Sequence, residues 1–208
     1  MCWKLIASTM SSSKSKRGGG GSRDLNTEQL TCIGNKLLAG KSTRFLGVYA
    51  ADRIPRLDEK QEHYPCALIA NTDPSTESGE HWIAYYLSSP NSPIEFFDSY
   101  GLEPNFYPNL PKFTSPLVHN SASLQSLNSL VCGHYCLLFI YLRSRNKSIA
   151  KIVRFILSNS HSHSKSFDTF VHTYVCSLVK LFHVLIPCTT RLSSSQCCHS
   201  RSSCSLVT

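Results

Sequence analysis

The sequence predicts an α+β fold in which a sheet is laid down first and helices are added after it. Three observations carry this. Four short β-branched or aromatic runs crowd residues 45–98, apolar positions beyond residue 132 recur at helical spacing, and a Pro-rich connection from Glu103 to Pro116 separates the two regions. With 208 residues and 41% hydrophobic side chains, the chain can bury one sizeable core.

The first element is a short amphipathic helix. Leu25-Asn26-Thr27 supplies a polar cap, Leu30, Ile33 and Leu37 follow at helical spacing, and Gly40 supplies a stop. Phe45 to Tyr49, Cys66 to Ala70, Trp82 to Leu87 and Ile94 to Asp98 are each bounded by Pro, Gly, Asn, Asp or Ser, and are strand candidates of one sheet. Cys132 to Leu142 is apolar nearly all round, the pattern of a helix buried on every side. Ile149, Ile152, Val153, Ile156 and Leu157 form the stripe of an amphipathic helix. Phe167, Phe170, Val171, Tyr174, Val175, Leu178 and Leu185 repeat that stripe over a longer segment.

The two ends differ from this domain, expected over residues 24–186. Residues 1–23 are Ser, Lys, Arg and a Gly18 to Gly21 run, a composition that has little to bury and predicts a disordered lead-in. Residues 187–208 read as a Ser- and Cys-rich tail. Its Cys197, Cys198, His199 and Cys204 lack the C-x-x-C spacing that zinc sites favour, so no metal is expected there and no cofactor elsewhere. Ten irregularly spaced cysteines in a chain this long fit a reducing compartment better than a disulfide scaffold. The N-terminal apolar run is too short for a signal peptide and no stretch is long enough to span a bilayer, so a soluble protein is expected, in the nucleus or cytoplasm or inside a virus-like particle, and as a monomer.

The net charge of +8 suggests nucleic acid until it is divided along the chain. Residues 24–103 hold 6 basic and 12 acidic side chains, whereas 104–185 hold 8 basic and 1 acidic, so the domain is polarised and not uniformly basic. Arg143, Arg145, Lys147, Lys151 and Arg154 are close enough in sequence to attract phosphates, or simply to form a solvated helix face.

Attack of sulfur on an amide needs a thiolate, an imidazole to share its proton, a group that holds the imidazole, and donors for the oxyanion. Candidates for all four are present. Cys132 sits where a polar loop gives way to the buried helix, and a helix N-terminus favours a thiolate. Gly133 behind it leaves room for a substrate backbone. Cys136, one turn further in, is expected to be buried and inert. His81 opens the third strand candidate, at a strand mouth and outside the core. Asp98 closes the fourth, so the two meet if these strands are neighbours. Gln125 lies seven residues before Cys132, on a loop from which its amide can fold back. Taken singly, Cys132 reads as a core cysteine, Asp98 as a solvated turn aspartate and Gln125 as an exposed loop glutamine. Only the set suggests catalysis.

Four ordered stretches resemble the adenovirus protease family, within the wider clan that includes the SUMO-type deconjugating proteases. They are Phe45-Leu46-Gly47-Val48-Tyr49, Cys66 to Thr72, Glu80-His81-Trp82-Ile83-Ala84, and Gln125 to Cys136, which is similar to the family's Gln-x-x-Asn-Ser-x-x-Cys-Gly-x-x-Cys motif. The step of seventeen residues from His81 to Asp98 also fits, and the likeness covers about residues 27–183. The resemblance implies a papain-like-clan cysteine protease, with a small mixed sheet around a central buried helix that bears the nucleophile at its N-terminus. It implies that Cys132 attacks, His81 shares its proton, Asp98 orients His81, Gln125 and the Cys132 N–H bind the oxyanion, and Trp82 flanks a narrow cleft admitting Gly-rich substrate backbones. Two departures stand out. The viral enzymes carry Glu where this chain has Asp98, while the SUMO-type branch uses Asp. No cysteine lies between Cys66 and Cys132, so activation by a peptide tethered through such a cysteine is not expected.

The resulting expectation is a cysteine endopeptidase that cleaves near Gly or other small residues in viral or mobile-element precursors. One alternative is a protease that removes a ubiquitin-like modifier. The other, of a different class, is an inactive binding module that contacts nucleic acid through the Arg143 to Arg154 cluster.

Overall fold

The structure, a computed structural model, describes residues 24–161 and 166–182. The lead-in, the tail, its cysteines and Leu185 lie outside the described residues. In chain order the elements are α1 (Thr27–Leu38), β1 (Arg44–Tyr49), β2 (Cys66–Asn71), β3 (Trp82–Leu87), β4 (Ile94–Phe97), β5 (Leu117–His119), α2 (Cys132–Arg143), α3 (Ile149–His161) and α4 (Phe167–Leu181). This is a mixed α+β architecture, strands first and helices after.

Helix α1 starts where its cap residues require. The Asn26 side chain accepts from the Gln29 N–H at 2.9 Å, and the Gln29 side chain accepts in return from the Asn26 N–H at 3.1 Å. This reciprocal box satisfies two donors that the first turn would leave orphaned. The helix buries Leu30, Ile33 and Leu37.

The five strands lie side by side in chain order. β1 and β2 are parallel, β2 to β3 and β3 to β4 antiparallel, and β4 and β5 parallel. The register of β1 on β2 slips between Phe45 and Gly47, and Gly47 has φ +124°, a conformation that a side chain would resist.

Both faces of the sheet are covered, and strand alternation sorts the side chains between them. Ala67, Ile69, Ala84, Tyr86 and Phe97 face the helices. Cys66, Leu68, Ala70, Ile83, Tyr85 and Phe96 face a second cluster, completed by Leu57, Tyr107 and Leu110 from the connections. Helix α2 is buried along its whole length, and its Phe139 ring stacks on Phe97 with centroids 4.6 Å apart. Each such ring removed from water contributes about 1.5–3 kcal/mol. Cys136 is fully buried, and burial pushes its thiol pKa well up.

The Pro-rich connection contains more structure than its composition suggests. It holds a one-turn helix at Pro104–Phe106 and leads into β5, whose three residues are too few to show a period. Among the described residues, no helix is long and apolar enough to cross a membrane.

Candidate functional site

The register of β3 on β4 pairs Ala84 with Phe97 and Tyr86 with Glu95. Continued outward, it brings the start of β3 beside the end of β4, which is how His81 and Asp98 come together across seventeen residues. Asp98 is fully buried. A buried carboxylate is tolerated only when its lone pairs are met by donors. Here Oδ1 accepts from His81 Nε2 at 2.6 Å and from the Tyr100 N–H at 3.0 Å. Oδ2 accepts from the Leu102 N–H at 2.9 Å and from the Tyr107 hydroxyl at 3.0 Å. The backbone of Asp98 is held as well, by both ends of the Asn120 amide, at 3.0 and 2.7 Å.

The turn that folds these donors around the carboxylate depends on Gly101. Its φ is +73°, and a Cβ there would stand 2.6 Å from the carbonyl carbon of Ala122. Glycine is needed both for conformation and for space.

His81 stands at the mouth of β3, yet it is only 2% exposed, so placing it outside the core is corrected. The reason is aromatic cover that the sequence does not announce. Tyr100 stacks on the imidazole with centroids 4.5 Å apart, and Tyr107 lies beyond at 6.1 Å. Burial works against a charged imidazole, but hydrogen bonding and charge from Asp98 and Cys132 outweigh it and push the His81 pKa up to about 9. With Nε2 engaged by Asp98, Nδ1 is the nitrogen left for the sulfur.

Cys132 is the first residue of α2 and is 6% exposed. Gln125 is buried at 4%, unlike an exposed loop glutamine. Its N–H and that of Leu124 donate to the Ser99 carbonyl at 3.0 and 2.8 Å. Its Oε1 accepts from the Ser99 hydroxyl at 2.6 Å, and its Nε2 donates to the Ser129 carbonyl at 2.9 Å. Among the described residues, the second Nε2 hydrogen has only the Tyr100 hydroxyl within range, at 3.5 Å. The amide is therefore fixed in orientation with one donor weakly used.

Trp82 is half-buried beside the start of α2. A Cβ on Gly133 would meet Leu30 at 3.0 Å, Leu25 at 3.4 Å and Trp82 at 3.5 Å. The absence of a side chain at Gly133 thus lets α1, with Leu25 just before it, close on α2.

The sequence singles out neither Ser99, Tyr100, Tyr107 and Asn120 nor a further member of this assembly, Asp168. Asp168, in the first turn of α4, is 8% exposed and reaches across to the Gln125 loop. It accepts from the Tyr135 hydroxyl at 3.0 Å, from the Ser126 N–H at 3.2 Å and from the Ser126 hydroxyl. The signal was available, because Asp168 is the single acid among residues 104–185.

The basic cluster is smaller than its spacing suggests. Arg143 is 9% exposed: its guanidinium pairs with Glu95 at 2.7 Å, donates to the Lys147 carbonyl at 2.7 Å and lies 4.2 Å from the Tyr86 ring centre. It is therefore removed from any phosphate-binding surface, since a cation already paired and half-enclosed by an aromatic ring gains little by leaving. Arg145, Lys147, Lys151 and Arg154 remain exposed.

No family model matches the chain. Among curated proteins it is similar to a protein named "Protease" of Porcine adenovirus A serotype 3, at 28% identity over 114 residues, which covers 47% of this chain and 54% of the other. The relationship is distant, and the chain spans about half the length of that relative. Among solved structures, it overlaps an ASFV protease at a TM-score of 0.38 and 19% identity, over 61% of this chain and 46% of that one. It also overlaps the SUMO protease Ulp1 with its catalytic cysteine oxidised to a sulfenic acid, at 0.42 and 12%, over 86% and 94%.

Proposed function

We propose that the protein is a cysteine-type endopeptidase. The observation that carries this reading is the buried 2.6 Å contact of His81 with Asp98, on an imidazole whose other electrostatic partner is Cys132. A raised His81 pKa favours an imidazolium beside the sulfur, the resting state that a thiol nucleophile requires.

In this mechanism the Cys132 sulfur attacks the carbonyl carbon of the scissile peptide. The oxyanion takes hydrogen bonds from the Cys132 backbone N–H, which as a first-turn donor has no intrahelical acceptor, and from Gln125 Nε2. Collapse breaks the C–N bond, and the His81 imidazolium gives its proton to the leaving amine. Water then releases the acyl group, with His81 as base and Asp98 holding the ring throughout.

The similarity to a viral protease supports a substrate of the precursor type, cut near Gly or another small residue. Asp98 in place of the viral Glu favours a second reading, removal of a ubiquitin-like modifier after its terminal glycines. The test is cleavage of a Gly-containing precursor peptide and of a modifier conjugate, by the parent protein and by Cys132→Ala. Loss of all cleavage in the variant is expected, by about 10⁴-fold or more, with Cys132 alkylated faster than the other cysteines near neutral pH. Unchanged cleavage in Cys132→Ala would sink the peptidase reading, and release of the modifier alone would decide for the second substrate.

A further inference from the structure

Asp168, His172 and Cys176 recur every four residues along α4 and so share one stripe of that helix. Asp168 already reaches the first turn of α2 through Tyr135. One and two turns further along, His172 and Cys176 meet His134, the residue before Tyr135. The rings of His134 and His172 have centroids 4.9 Å apart, and Cys176 Sγ lies 3.7 Å from His172 Nε2. The potential ligand atoms of all three lie within 4.8 Å of one another. His134 is buried, and the other two are half-buried.

We propose that His134, His172 and Cys176 form a metal site of the His₂Cys type for zinc, with a fourth position open to water. Zinc bonds of about 2.0–2.1 Å to nitrogen and about 2.3 Å to sulfur put neighbouring ligands of a tetrahedron about 3.3–3.6 Å apart. The separation of His172 from Cys176 is already close to such an edge. The widest separation, which involves His134, must close by about 1.2–1.5 Å, within reach of rotamer adjustment by the half-buried His172 and Cys176. Two ligands at i and i+4 on one helix face can share an ion, and imidazole with thiolate selects zinc over magnesium or calcium. On binding, the Cys176 thiol loses its proton to solvent and both imidazoles bind as neutral donors. The ion ties α4 to the first turn of α2. The site stands independently of the peptidase reading.

The test is titration of the full chain with cobalt(II), followed by displacement with zinc, in the parent protein and in Cys132→Ala, where the Cys132 thiol cannot contribute. Expected are the absorption of tetrahedral cobalt with a thiolate charge-transfer band, saturation at one ion per chain, and a melting temperature that rises with zinc concentration. His172→Ala and Cys176→Ser should each lose the band and weaken zinc binding by about tenfold or more. A chain with Cys197, Cys198 and Cys204 all replaced by Ser should keep it. Absence of binding would overturn the proposal, and so would a band that survives both helix variants or disappears with the three Ser replacements. If His172→Ala does not fold by far-ultraviolet circular dichroism, Cys176→Ser alone decides.

Discussion

The two halves of the candidate site are built in opposite ways. His81 and Asp98 are remote in sequence and are joined by the backbone ladder of adjacent strands, with the carboxylate then wrapped in four hydrogen bonds. Gln125 and Cys132 are close in sequence, yet the loop between them has no ladder of its own. It is held by side chains from far away, Ser99 at 26 residues from Gln125 and Asp168 at 42 from Ser126. A compact motif can thus depend on distant partners, while a dispersed pair can rest on regular secondary structure. Errors in the two halves should therefore have different consequences: the first set by charge, the second by loop position.

The largest effect expected, after loss of the sulfur itself, is from Asp98→Asn, which keeps the shape and removes the charge. Peptide cleavage should fall about 10³- to 10⁴-fold. The pH profile gives a second readout. His81 has a folded pKa raised above its ordinary 6.5, to about 9, so its pairing stabilises the fold fully below about pH 6.5 and is lost as pH rises through 9. The alkaline limb of kcat/KM in the parent protein should fall near pH 9, because a neutral imidazole cannot protonate the leaving amine. In Asp98→Asn that limb should move to lower pH. A limb that does not move would show that Asp98 does not act through the charge of His81.

Gln125→Ala comes next, with a loss of about 10²-fold in kcat and little change in KM, since an oxyanion donor acts on the transition state. A change confined to KM would place Gln125 in substrate binding.

Asp168→Asn should have the smallest effect on chemistry. It weakens the clamp on Ser126 and Tyr135, which should lower stability by about 1–3 kcal/mol in denaturant melts and reduce cleavage only several-fold. A loss as deep as that of Asp98→Asn, at unchanged stability, would make the loop half as electrostatically critical as the strand half and erase the contrast between them.

Much of this architecture was legible because it is periodic. The stripes of α1, α3 and α4, the four longer strands and the apolar sweep of α2 each announce themselves over several residues. β5 does not, since Leu117 to His119 is too short for a period and is defined only by pairing with β4. Burial of His81 was also hidden, because it depends on Tyr100 and Tyr107 folding back over the ring. Arg143 looked like part of a cationic surface only because nothing near it in sequence reveals Glu95 and Tyr86.

By itself, the sequence determined the order of α1, the four longer strands and the later helices, the start of α1 and α2, and the intervals of a candidate Cys, His, Asp and Gln set. Side-chain periodicity and capping are local, so they survive in one dimension. Only the tertiary structure decided which groups are desolvated and which donors meet them: the four bonds on Asp98, the fixed amide of Gln125, the clamp at Asp168 and the convergence of His134, His172 and Cys176. Those are contacts between segments distant along the chain, and their strength comes from the exclusion of water, a property no single segment possesses.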